Sequence, residues 1–181
     1  MIRAVIPLAL FLALAGMFWY VLGKMNEGEY NPRDVPTQFI GREAPAFELP
    51  DLMDTSSKVT TAEMRGKVWL LNVWGTWCPE CWKEHDYLLH LARREGVPII
   101  GINWRDEAAE ARRMLTRLGN PFQKVAFDPN SNAVIEWGVY GAPETFLIDA
   151  EGIVRVKHTG AMTPQVWNDK FKSYFSAGGT S

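Results

Sequence analysis

The chain has 181 residues, 47% hydrophobic and 22% charged, with a formal net charge of −2. This composition excludes a disordered or wholly membrane-embedded protein, and the lack of a basic excess argues against nucleic-acid binding. No internal repeat or low-complexity tract is present, and the length beyond the apolar start suits one compact domain.

The first element is Ala4–Gly23, a run without a charged residue. At about 1.5 Å per residue, a helix of this length spans the roughly 30 Å hydrocarbon layer. Arg3 and the α-amino group precede it, Lys24 follows, and Phe18, Trp19 and Tyr20 fit an aromatic belt at the far interface. A cleaved signal peptide is the rival reading, because Ala13-Leu14-Ala15 has the small-x-small form of a cleavage site. The apolar run continues past that site to spanning length, which favours a membrane anchor over 1–25. Either reading exports the body. Residues 26–40 are polar, carry Pro32 and Pro36, and read as a linker. The globular domain is expected over 41–177.

Within it, Ala44–Leu52 and Lys58–Thr61 read as short strands around a turn, and Thr61 as the cap of a short helix. Val68–Trp74 is an apolar run without alternation, as in a strand buried on both faces. A helix follows over Pro79–Glu95, then a buried strand over Val97–Trp104. Asp106–Gly119 is amphipathic and ends at glycine. A short strand is expected at Lys124–Asp128 and a helix at Asn132–Val139. Glu144–Asp149 and Ile153–Gly160 flank the turn signal Ala150-Glu151-Gly152 of an antiparallel hairpin. A terminal helix over Pro164–Phe175 closes an α/β domain with a mixed sheet covered on both faces.

Both cysteines lie in one motif, Cys78-Pro79-Glu80-Cys81, where a strand gives way to a helix. Proline is tolerated in the first helical turn. Cys78 sits at the positive end of the helix dipole, where free N–H groups stabilise a thiolate. Cys81 lies one turn in, expected to be less accessible, and the sulfurs are close enough to bridge. A purely structural crosslink closing so small a ring restricts the unfolded chain little. A metal clamp from Cys78, Cys81 and His85 lacks a fourth ligand, since His90 faces elsewhere on the helix. Thiol–disulfide exchange remains the preferred reading, with no cofactor and no metal required.

Two further features bear on that chemistry. Pro143 stands in a glycine-flanked turn just before a strand. Glu84 falls on an apolar helical stripe with Cys81, Leu88, Leu91 and Ala92. Burial there would raise its pKa and let it exchange a proton with Cys81 near neutral pH. The competing reading has Glu84 reach the edge and pair with Lys83 or another cation.

Trp77-Cys78-x-x-Cys81 and the Pro143 turn, in that order and separation, resemble the thioredoxin superfamily from about Gly41 to the last helix. "APAFELPDL", "LLNVWGTWCPEC", "GINWRD" and "GVYGAPETFLID" resemble one branch, the CcmG (DsbE) family of membrane-anchored thiol–disulfide interchange proteins of cytochrome c biogenesis. The resemblance implies a thioredoxin-like fold with an N-terminal strand extension. It implies a cis bond at Ala142-Pro143, with that loop beside the disulfide. It also implies a single-pass inner-membrane protein with its domain in the periplasm, keeping the haem-attachment cysteines of apocytochrome c, or a partner thiol protein, reduced. Electrons would come from a membrane donor of the CcdA or DsbD kind. Thioredoxins carry a buried Asp six residues before the first active-site cysteine; here that position is Asn72, and Glu84 approaches from the helix side instead.

The direction of electron flow does not follow from the residues. Glu80 places negative charge beside Cys78 and favours the disulfide, whereas the helix dipole favours the thiolate. Trp77, Pro79, Glu80, Ala142, Pro143 and Glu144 are the expected partner contacts. Glu144 would border the groove and select partners by charge, unless it is an ordinary exposed strand residue. His85, His90 and His158 read as surface or satisfied residues. A general exported disulfide reductase or oxidase, for instance in copper-site assembly, and a metal-binding chaperone are the alternatives.

Overall fold

The computed structural model describes residues 2–26 and 39–176. They fall into two units, the N-terminal helix and the body. The linker expected over 26–40 lies outside the described residues except at its ends. Helix α1 spans Ile2–Asn26. Within it Val5–Gly23, mean hydropathy 2.3, is long and apolar enough to cross a membrane, a test that a signal sequence also passes.

In the body, β1 (Glu48–Pro50) and β2 (Lys58–Thr60) form a small antiparallel pair, followed by a 3₁₀ turn at Thr61–Met64. Thr61 does not cap that turn, contrary to its sequence reading. Its Oγ1 accepts from Phe47 N at 3.0 Å and donates to Pro45 O at 3.3 Å, tying down the lead-in to β1.

The main elements are β3 (Trp69–Trp74), α2 (Pro79–Arg94), β4 (Ile99–Trp104), α3 (Ala108–Leu118), β5 (Lys124–Asp128), α4 (Asn132–Glu136), β6 (Glu144–Ile148) and β7 (Val154–Thr159). The sheet order is β5-β4-β3-β6-β7, with β3, β4 and β5 parallel and β6 and β7 antiparallel to their neighbours. Gly152, at φ 85°, makes the β6–β7 turn, a conformation that a Cβ disfavours.

Strand alternation sorts the core into two layers. Trp69, Leu71 and Val73 pack with Ile100, Ile102, Phe146 and Trp137 on one face. Leu70 and Trp74 pack with Leu88 and Leu91 of α2, Met114 and Leu115 of α3, and Trp167 and Phe171 on the other. Each such fully buried side chain contributes about 1.5–3 kcal/mol of transfer free energy. Asn72, in the same alternation, is sent toward α2.

The terminal helix is not regular. Pro164–Val166 (α5) runs into a π turn at Trp167–Phe171 and then into Lys172–Ser176 (α6). Trp167 and Phe171 stack with ring centroids 6.2 Å apart, and both are buried against the second face.

Candidate functional site

Parallel pairing aligns the carboxyl ends of β3 and β4, since Trp74 stands opposite Asn103, and antiparallel pairing brings Glu144, at the start of β6, opposite Val73. The β3–α2 loop, the β4–α3 turn and the Pro143 loop therefore meet at one end of the sheet. Chemistry collects there because strand ends leave backbone groups and helix N-termini unpaired.

Cys78 is the N-cap of α2, with extended backbone, and Pro79 occupies the first helical turn. A disulfide joins Cys78 to Cys81, with Cα atoms 5.3 Å apart. Cys81 N donates to Cys78 Sγ at 3.1 Å and also to Cys78 O at 3.2 Å, so a first-turn helical N–H is shared between this sulfur and the carbonyl of the same residue. The expected difference in accessibility is not seen in this disulfide form: Cys78 is 2% and Cys81 3% exposed. Trp77, 48% exposed, stands beside the pair with its Nε1 donating to Trp104 O at 2.9 Å.

Glu84 is buried, only 1% exposed, rather than paired at the surface. Lys83 instead bonds Glu80, which sits exposed within the motif. Glu84 Oε1 accepts from Asn72 Nδ2 at 2.9 Å, and Oε2 accepts from Met162 N at 2.6 Å. Asn72 Nδ2 also donates to Thr145 Oγ1 at 3.0 Å, as their β3–β6 register dictates. Desolvation raises the Glu84 pKa to about 7, against the pull of the two donors. The site thus holds a carboxyl poised near neutrality one helical turn from Cys81, bonded by the asparagine at position 72.

The Ala142–Pro143 bond is cis. Ala142 packs against the cluster that contains both cysteines, and Pro143 O accepts from Gly160 N at 2.9 Å. Glu144 requires correction. It is 0% exposed, and its carboxylate lies 2.9 Å from Lys157 Nζ, itself nearly buried. Such a group cannot meet an incoming partner as a rim charge. Burial pushes its pKa up, while Lys157 pulls it down. Lys157 also donates to Gly138 O at 3.0 Å and lies over the Tyr140 ring at 4.8 Å, so it ties the segment leading to Pro143.

A protein-family profile described as Redoxin matches residues 40–175. The chain is 46% identical over 170 residues to the thiol:disulfide interchange protein DsbE of Allochromatium vinosum, covering 94% of this chain and 91% of that one. It is 41% identical over 169 residues to DsbE of Escherichia coli, covering 92% and 90%. The chain belongs to the DsbE family of thiol:disulfide interchange proteins. Among solved structures, a crystal structure of a putative thiol:disulfide interchange protein DsbE from Chlorobium tepidum matches with TM-score 0.66 and 25% identity, over 75% of this chain and 97% of that one.

DsbE membership establishes the thioredoxin-like α/β fold and the chemistry of a thiol–disulfide oxidoreductase that acts on thiol proteins; the Cys78–Cys81 pair is consistent with that chemistry. Of the expected DsbE site residues, the structure gathers Trp77, Cys78, Pro79, Glu80, Cys81, Glu84, Ala142 and Pro143 around this end of the sheet. His85, considered as a third metal ligand, is turned to Gly119 O at 2.9 Å. Among the described residues no group of three or more His, Cys, Asp or Glu side chains is arranged to hold a metal ion. Sequence reasoning missed Thr145, Lys157 and the Met162 amide. The first two were findable by pairing the β6–β7 hairpin with β3; the backbone donor had no signal.

Proposed function

We propose that this DsbE-family protein is a membrane-anchored periplasmic dithiol reductant of cytochrome c maturation. In this reading 1–25 is the inner-membrane anchor, 26–40 the linker and 41–177 the catalytic domain. The reduced Cys78 thiolate attacks a partner disulfide, forming a mixed disulfide and releasing one partner thiolate. Cys81 then loses its proton to Glu84, attacks Cys78 Sγ and releases the second partner thiolate. Two electrons pass to the partner, and the Cys78–Cys81 disulfide is left behind. The observation that carries the reading is the cysteine pair at the N-terminus of α2, with Cys81 N–H on Cys78 Sγ and the buried Glu84 one turn away.

The partner is apocytochrome c or a thiol protein of the same route, seated on Trp77, Pro79, Glu80, Ala142 and Pro143. A CcdA- or DsbD-type membrane protein recharges the dithiol, because an exported compartment is oxidising and a reductant there needs a continual source. Anchoring by α1 keeps the domain beside that source. The test is the reduction potential of the Cys78–Cys81 couple, with reduction of an oxidised C-x-x-C-H peptide. The expected result is a potential well below about −120 mV, the value of a strong oxidase, and preference for that peptide over an unrelated disulfide. A potential near that of the oxidase overturns the reductant reading.

A further inference from the structure

Asp106, in the β4–α3 turn, is among the most heavily bonded carboxylates in the body. Its Oδ2 accepts from Thr76 N at 2.7 Å and from Asn103 Nδ2 at 2.8 Å. Its Oδ1 accepts from Thr76 Oγ1 at 2.6 Å and from Glu107 N at 2.9 Å. Two of the four donors belong to Thr76, two residues before Cys78. They grip it by backbone and side chain together.

The grip is transmitted toward the sulfur. Cys78 N donates to Gly75 O at 3.2 Å, closing the turn that contains Thr76. Thr76 O accepts from Trp82 Nε1 at 2.8 Å, fixing the turn against α2. Trp77 Nε1 reaches the carbonyl of Trp104, the last residue of β4, which leads into the turn of Asp106. That turn is itself held. Trp104 Nε1 and Arg105 Nε both donate to Ser131 Oγ, at 2.8 and 3.0 Å, and Asn103, which supplies a donor, is fully buried. The loop ahead of Cys78 is therefore laced to an anchored neighbour, and Asp106 supplies two of the laces.

We infer that Asp106 is a positioning residue for thiol–disulfide exchange: it fixes the Gly75–Trp77 loop so that Cys78 Sγ stays under the Cys81 N–H. The inference rests on the exchange reading of Cys78. Asp106 touches neither sulfur; it acts through Thr76. An asparagine cannot substitute, because its amide N–H₂ would face a donor of Thr76 or Asn103 where an acceptor is needed.

The sign of the effect separates positioning from charge. If Asp106 acted only as a nearby negative charge, its removal would favour the Cys78 thiolate and move the thiol titration to lower pH. If it positions the sulfur, its removal loosens the N–H contact that stabilises the thiolate, and the titration moves to higher pH. Glu80, Lys83 and Glu84, the other charges around the pair, are unchanged in either case.

The experiment uses the reduced full-length chain in detergent, with Asp106→Asn and the milder Thr76→Val. Alkylation of Cys78 by iodoacetamide is followed against pH, and exchange with glutathione disulfide at neutral pH. The expected result for Asp106→Asn is an alkylation profile moved to the alkaline side by about one pH unit, about tenfold less thiolate at neutral pH. Exchange slows several-fold, and Thr76→Val moves both readouts part of the way. An unmoved or acid-shifted profile in both variants overturns the inference. Alkylation is read whether or not exchange occurs, so a wild-type protein that fails to exchange overturns the proposed function instead.

Discussion

Replacing Glu84 by glutamine isolates the energetic consequence of burying that carboxyl. Its pKa is 4.5 in the ordinary state and about 7 in the fold, with desolvation the largest cause. At about 1.36 kcal/mol per pH unit, that gap amounts to about 3 kcal/mol. Below pH 4.5 the carboxyl is protonated in both states and costs nothing. Between pH 4.5 and about 7 the unfolded chain gives up its proton while the native protein keeps it. Rising pH therefore favours unfolding, and stability present at low pH is lost as pH passes through the folded value. Glutamine cannot ionise. It also cannot accept from both Asn72 Nδ2 and Met162 N through carboxylate oxygens, which adds an offset that does not change with pH. Urea unfolding of the oxidised chain in detergent, wild type beside Glu84→Gln, reads the difference from below pH 4.5 to above pH 7 by tryptophan fluorescence. The variant should gain about 3 kcal/mol relative to wild type across that window. A difference that stays flat refutes the buried, titrating carboxyl and with it the proposed proton acceptor.

Lys157→Met strands the Glu144 carboxylate in the interior. The loss should be about 3–5 kcal/mol near neutral pH and should shrink in acid as Glu144 protonates, measured by urea midpoints at two pH values. Asp128→Ala removes the acceptor for the amides of Asn132, Ala133 and Val134, at 2.7, 2.9 and 3.1 Å, at the start of α4. A cost of about 2 kcal/mol is expected, with faster hydrogen exchange at those amides. Gly75→Ala would set a Cβ 2.5 Å from Trp77 Nε1. The indole must leave Trp104 O, so a changed tryptophan emission should accompany a loss of about 1–3 kcal/mol.

What was legible in the sequence was local or periodic. Val68–Trp74 and Val97–Trp104 read as buried strands because strands covered on both faces are continuously apolar. Glu84 was conspicuous because a carboxylate broke an apolar stripe at helical spacing. The burial of Glu144 was missed because its cation, Lys157, lies across the hairpin and comes into view only once β6 and β7 are set in register. Asp106 looked like an ordinary residue at a helix start, because two of its four donors come from Thr76, a loop residue in another element. Thr61 had the chemistry of a cap, but acceptors and donors in the preceding segment captured its hydroxyl. The π turn in the last helix leaves no mark in apolar periodicity, being one widened turn within a helical pattern. For Glu144, Asp106 and Thr61 the deciding contact was long-range.

The most direct test of the central claim is covalent capture at the cysteine pair. The full-length Cys81→Ser chain, reduced and mixed with an oxidised C-x-x-C-H peptide, has a nucleophile without its resolving partner. Intact-mass measurement should find one peptide bound to Cys78, released by dithiothreitol and absent when Cys78 is also replaced. A Cys78 thiol that alkylates freely yet forms no peptide adduct would contradict the account.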